Sequence, residues 1–180
     1  MENTTDQNPK TRAAEALRRV HRSYSAGSDR PLGGYLKAMA GFSAYAAGCA
    51  VAVRLRGRPL PERPEPYDVL LTSVATFRLS RLLTKSAVTS PLRAPFTRYE
   101  GPEGPSELSE EVRGDTPSHA VGELLTCPFC LGTWVATGLT AAQLVWPRGG
   151  RTVTGALTAL AVSDLLQLGY AALTQKVEED

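Results

Sequence analysis

The chain has 180 residues, with 20 Lys and Arg against 18 Asp and Glu, a formal net charge of +2, and 42% hydrophobic residues. That length suits one domain with tails, and so mild a charge, with no basic run interleaved with aromatics, excludes nucleic acid as an expected partner. Three cysteines, Cys49, Cys127 and Cys130, cannot all pair, which argues against a secreted disulfide scaffold.

Residues 1–31 are polar and read as a mobile tail, without the basic-apolar-small pattern of a cleaved signal peptide. Within them Ala13, Ala16, Leu17, Val20 and Tyr24 share one helical face among Arg12, Arg18, Arg19 and Arg22. That pattern fits a basic amphipathic helix on anionic headgroups, or a solvated, partly helical tail. Apolar residues then crowd into four segments, at about 33–53, 67–84, 127–146 and 152–173, so 32–173 reads as a helical membrane domain.

The first segment is rich in Ala and Gly, and Ala44, Gly48 and Ala52 recur at the spacing that lets helices approach closely in lipid. Cys49 is a small apolar residue of that run. The connector 54–66 holds four prolines among charges and breaks the helix. The second segment carries Asp68, Arg78 and Arg81, too many charges to face lipid on all sides, so an interior face is expected. Residues 98–121, with six acidic side chains among Gly and Pro, read as a flexible, strandless loop whose stretch 101–115 is dispensable for folding.

Cys127-Pro128-Phe129-Cys130 opens the third segment, which ends at Trp146-Pro147. Proline suits a first helical turn, so both sulfurs are expected on the N-terminal turn of a helix, where the dipole favours thiolate. Arg148-Gly149-Gly150-Arg151 reads as a tight basic turn. The fourth segment repeats small residues at Gly155, Ala159 and Ser163, carries Asp164 near its middle, and leaves 174–180 as an acidic tail.

The predicted fold is thus all-α: a polytopic membrane protein of about four transmembrane-length helices, with a polar N-terminal tail and an acidic loop. The Lys/Arg balance places both termini and the cysteine turn in the cytoplasm, although the arginine-rich connector argues the other way. Counted from Asp68 and Thr152 at about 1.5 Å per residue, Arg78, Arg81 and Asp164 lie about 15, 20 and 18 Å deep. Asp164 is therefore expected to pair with Arg78 or Arg81 inside the bundle.

Ala75-Thr76-Phe77-Arg78-Leu79-Ser80-Arg81-Leu82-Leu83, Ser90-Pro91-Leu92-Arg93 and Gly122-Glu123-Leu124-Leu125-Thr126-Cys127-Pro128-Phe129-Cys130-Leu131-Gly132-Thr133-Trp134 together resemble the bacterial family catalogued as domain of unknown function 1360. The resemblance covers roughly Tyr67 to Leu173. It implies a small multi-pass membrane protein and attaches no activity.

Three readings of Cys127 and Cys130 stay open. As a thiol–disulfide pair they match the spacing of glutaredoxin-type sites, but no strand precedes them and no second cysteine pair is at hand. As a metal knuckle they supply half a tetrahedral zinc site, with His119, Glu123 and Asp115, or another chain, as the remaining candidates. As plain structure, the sulfurs pack a helix entry against Phe129 and Trp134. His21 and His119 read as solvated, and no hydrolase or kinase constellation is present. The expected function is a non-enzymatic scaffold or accessory subunit of the cell membrane, with no cofactor unless zinc. Its partners are the lipid bilayer and a homo-oligomer or another membrane protein; the alternative is a membrane thiol oxidoreductase or metal-binding protein.

Overall fold

Helix α1, Leu32–Leu55, opens the part of the chain described by this computed structural model, which comprises residues 32–57, 59–114 and 119–179 together with Arg12, Glu15 and Arg19. The apolar face of the expected amphipathic helix near the N-terminus, Ala13, Ala16, Leu17, Val20 and Tyr24, lies outside those residues, as do His21 and Asp115. After the proline-rich connector come α2 (Pro66–Lys85), a 3-10 turn (Ala87–Thr89), a single turn α3 (Ser90–Arg93), strands β1 (Thr97–Gly104) and β2 (Glu107–Val112), α4 (His119–Thr126), α5 (Pro128–Val145) and α6 (Pro147–Glu179).

Three of these helices, α1, α5 and α6, are long and apolar enough to cross a membrane. Helix α2 matches the second expected segment in extent but is not among them, because Asp68, Arg78, Arg81 and Lys85 dilute its apolar residues. It is instead the central element, packed against both α5 and α6. Ala75 on α2 is fully buried with Val135 and Leu139 of α5, and Leu79, Leu83, Leu131 and Leu157 close around them. Hydrogen bonds bind the same three helices at one end. The Gln143 amide on α5 donates to Thr72 of α2 and Thr154 of α6, both at 2.9 Å, and the Thr158 hydroxyl reaches the Leu71 carbonyl at 3.0 Å. Hydrogen bonds of this kind contribute on the order of 1 kcal/mol each.

Helix α1 docks on α5 through aromatic rings. Trp134 lies edge-on to Phe42 at 5.3 Å and stacked on Tyr45 at 5.4 Å. Gly138 makes room for this, since a Cβ there would overlap the Tyr45 hydroxyl. The small residues expected to pack do not do so within the chain: Ala44, Gly48, Ala52, Ala159 and Ser163 are exposed, and neither Gly48 nor Gly155 has a neighbour against it. The residues in contact show α1 running parallel to α5, with α2 and α6 antiparallel to both.

Two further expectations are corrected. Residues 148–151 form no separate turn but the first turn of α6, and Trp146 alone separates α5 from α6. Gly149 and Gly150 permit this, because a Cβ at either would strike the Trp146 ring or the Gln143 backbone. The acidic stretch is not strandless, so the fold is mostly helical rather than all-α. It forms an antiparallel hairpin, turned by Pro105 and by Ser106 at a positive φ of 64°. β1 is bulged near Glu100 and Glu103 and carries Pro102, features tolerated on an edge strand. β2 is the inner strand: Val112 packs onto Gly122 of α4, where any Cβ would collide with it.

Candidate functional site

At the hairpin end of the bundle, the cysteine turn has much the geometry expected of it. Cys127 is extended (φ −100°, ψ 106°) and caps α5, its Sγ accepting the Cys130 N–H at 3.2 Å, with Pro128 in the first turn. Cys127 is half-buried and Cys130 exposed, and all three cysteines are free thiols. The packing expected around them is different, however. Phe129 is 89% exposed, and Trp134 is committed to α1. One turn upstream on α4, His119 Nε2 lies 3.4 Å from Glu123 Oε1. Among the described residues no three His, Cys, Asp or Glu side chains gather into a group that could hold a metal ion.

The charges of α2 are distributed with a clear logic. Asp68, at its start, pairs with Arg151 on α6 at 2.6 Å. In mid-helix, Arg78 Nε lies 2.8 Å from Asp164 Oδ2, the partner expected from matched depth. The contact is ionic rather than a well-aligned hydrogen bond, for the buried Nε has no hydrogen-bond acceptor. Arg81 goes elsewhere, to a two-pronged bond with Glu107 on the hairpin, and Lys85 takes Glu103. Each of the four charged side chains of α2 thus has an opposite charge from another element.

The most deeply buried charge lies just beyond α2 and was not among the residues expected to matter. Arg93 is fully buried, and its five N–H groups are all used. Nε and Nη2 grip the two Glu110 oxygens at 2.8 Å each, Nη1 donates to Leu83 O and Thr89 Oγ1, and Nη2 also donates to Ser86 O. Leu83 and Ser86 belong to the terminus of α2, where carbonyls lack helical partners and the dipole favours a cation. One guanidinium therefore caps α2 and clamps the hairpin. Burial works against the Glu110 charge, but the bonds from Arg93 and Thr97 outweigh it and hold this carboxyl below its ordinary pKa. The sequence signal for this centre was the count of acids in 98–121 facing Arg81, Lys85 and Arg93, read there only as a mark of solvation.

On the opposite side of the bundle two cavities meet at Leu60, Ala136, Thr140 and Leu144. One, of about 850 Å³, lies between α1 and α5; the other, of about 830 Å³, lies beneath the connector beside α2.

A bundle in which a charged helix packs between two apolar helices of membrane length, with a third docked beside them and a hairpin clamped across one end, defines a class of small helical proteins with three helices long and apolar enough to cross a membrane. More particularly, the chain belongs to the family described as "Protein of unknown function (DUF1360)", which it matches over residues 71–170, from the second turn of α2 into α6. It is similar to the sporulation protein YjcA of Bacillus subtilis (strain 168), 34% identical over 86 residues that cover 46% of this chain and 73% of that protein. No solved structure matches.

Proposed function

We propose that this chain is an integral protein of the cell membrane in which α1, α2, α5 and α6 all cross the bilayer, and that it serves as a non-enzymatic scaffold or accessory subunit. The observation that carries this reading is the pairing of every α2 charge, which lets a charged helix pack against two apolar ones without stranding an ion in lipid. Large apolar side chains point outward along α6, among them Leu160, Leu165, Leu166 and Leu173. The outward small-residue face of α1 suits association with another helix, from a second copy or a membrane partner. The Lys/Arg balance supports cytoplasmic termini with the hairpin and cysteine turn beside them.

Carbonate extraction tests the membrane assignment: the chain stays with the pellet, and release into the supernatant would end it. A membrane-impermeant maleimide tests the orientation, with labelling of Cys130 expected only after permeabilisation. A second reading, a thiol–disulfide or zinc function of Cys127 and Cys130, is favoured by the exposure of the free Cys130 thiol. Alkylation shift combined with metal analysis separates the two. Two free thiols without metal support the scaffold, whereas a reversible disulfide or stoichiometric zinc supports the second reading.

A further inference from the structure

We propose that the furrow between α1 and α5 binds one acyl chain of an anionic membrane lipid, whose headgroup is held by Arg54. The inference rests on the membrane reading above. The furrow's volume of about 850 Å³ lies within the range of ligand sites, roughly 300–1,000 Å³. Its walls are aliphatic and mostly small: Ala46, Ala50 and Val53 on α1 face Ala136, Ala141 and Leu144 on α5. The polar atoms on its flank are few: the Thr137 hydroxyl is occupied by the Thr133 carbonyl at 2.8 Å, and Cys49 and the Thr140 hydroxyl complete the set. These walls belong to two helices apolar enough to span, so the furrow faces hydrocarbon along its length.

Arg54 stands at the connector end of the furrow, in the last turn of α1, where a spanning helix reaches the headgroups. Among the described residues its side chain has no hydrogen-bond or ion-pair partner, unlike the arginines of α2. From Ala46 to Arg54 is eight residues, about 12 Å along the helix, which places the cation one chain segment above the apolar floor. The adjoining cavity carries Glu65 and the mutually neutralised Asp68–Arg151 pair on its wall, a net acidic lining that leaves Arg54, among the described residues around the two cavities, as the unpaired cation for an anionic group. A cation at the end of an apolar trough fits a phosphate joined to a hydrocarbon chain, rather than free phosphate.

The full chain, purified in detergent, is titrated with phosphatidylglycerol and with phosphatidylcholine bearing the same chains, and binding is read by native mass spectrometry. Phosphatidylglycerol is expected to bind more tightly. Arg54→Gln weakens it about fivefold, toward phosphatidylcholine, in keeping with one lost basic contact. Ala50→Phe fills the furrow at an exposed position and weakens both lipids, with helix content unchanged as the check on folding. Excess glycerol 3-phosphate does not displace the lipid. Unchanged binding in either variant, or displacement by glycerol 3-phosphate, overturns the site. Release of the chain by carbonate overturns the membrane reading and this inference together, whereas a chain retained in membranes with unaltered lipid binding in Arg54→Gln overturns the lipid site alone.

Discussion

The two ends of α2 are each tied to a neighbour through an arginine and a carboxylate, yet the ties differ in kind. At the start, Arg151 and Asp68 meet with their side chains 59% and 23% exposed, and water can take the place of either. At the finish, Arg93 and Glu110 are 1% and 6% exposed, every guanidinium N–H is used, and the carbonyls that α2 leaves open are among the acceptors. The same two chemical groups are a surface contact in one place and a structural centre in the other. Burial and the number of additional hydrogen bonds make the difference, because a buried charge that loses its partner has no solvent to return to.

The largest effect is expected from breaking the buried tie. Arg93→Ala or Glu110→Ala should lower the unfolding free energy by about 3–5 kcal/mol, read from denaturant or thermal unfolding in detergent. Replacing both by apolar residues of similar volume should recover much of that loss. A loss below about 1 kcal/mol for Arg93→Ala would show that the hairpin does not hold the end of α2.

A middle case sharpens the contrast. The Arg78–Asp164 contact is partly exposed, at 23% and 43%, but its Nε is buried. Asp164→Ala should cost about 1–3 kcal/mol by removing the carboxylate opposite that atom, and a charge swap between the two positions should restore part of it. Equal stability of wild type and Asp164→Ala would place this contact with the surface ties.

Acidification probes the buried centre without mutating it. The folded pKa of Glu110 is lowered, so its contribution is fully present above the unfolded carboxyl value, about 4.3, and is lost as pH falls through the lower folded value. The acid limb of the stability curve should therefore be steeper in wild type than in Glu110→Gln. Identical limbs would mean that Glu110 is not held in its charged form. Smallest of all is the surface tie: Arg151→Ala should leave the unfolding midpoint essentially unchanged, and high salt should erase what difference there is.

Much of the helical framework was legible from residues alone. The expected segments at 33–53 and 67–84 correspond to Leu32–Leu55 and Pro66–Lys85, because apolar runs bounded by proline clusters are local signals. The helix start at Cys127-Pro128 was equally local. The hairpin was missed for the opposite reason. Glu, Gly and Pro have poor strand propensity, and residues 97–112 form a sheet where Arg81, Lys85 and Arg93, distant in sequence but adjacent in space, neutralise Glu107, Glu103 and Glu110. The role of Arg93 was hidden likewise, since nothing in Ser90-Pro91-Leu92-Arg93 says that the chain will turn it inward.

Hydropathy and proline placement by themselves determined where the long helices lie, and matched depth along two parallel helices was enough to anticipate a partner for Asp164. Tertiary structure alone decided which arginine that partner is: Arg78 faces α6, while Arg81, three residues on, faces the hairpin. Residues three apart lie on nearly one face, offset by about 60° and about 4.5 Å along the axis, so the sequence leaves both arginines open to Asp164, and only the packed arrangement of α6 and the hairpin around α2 says which carboxylate stands at each level.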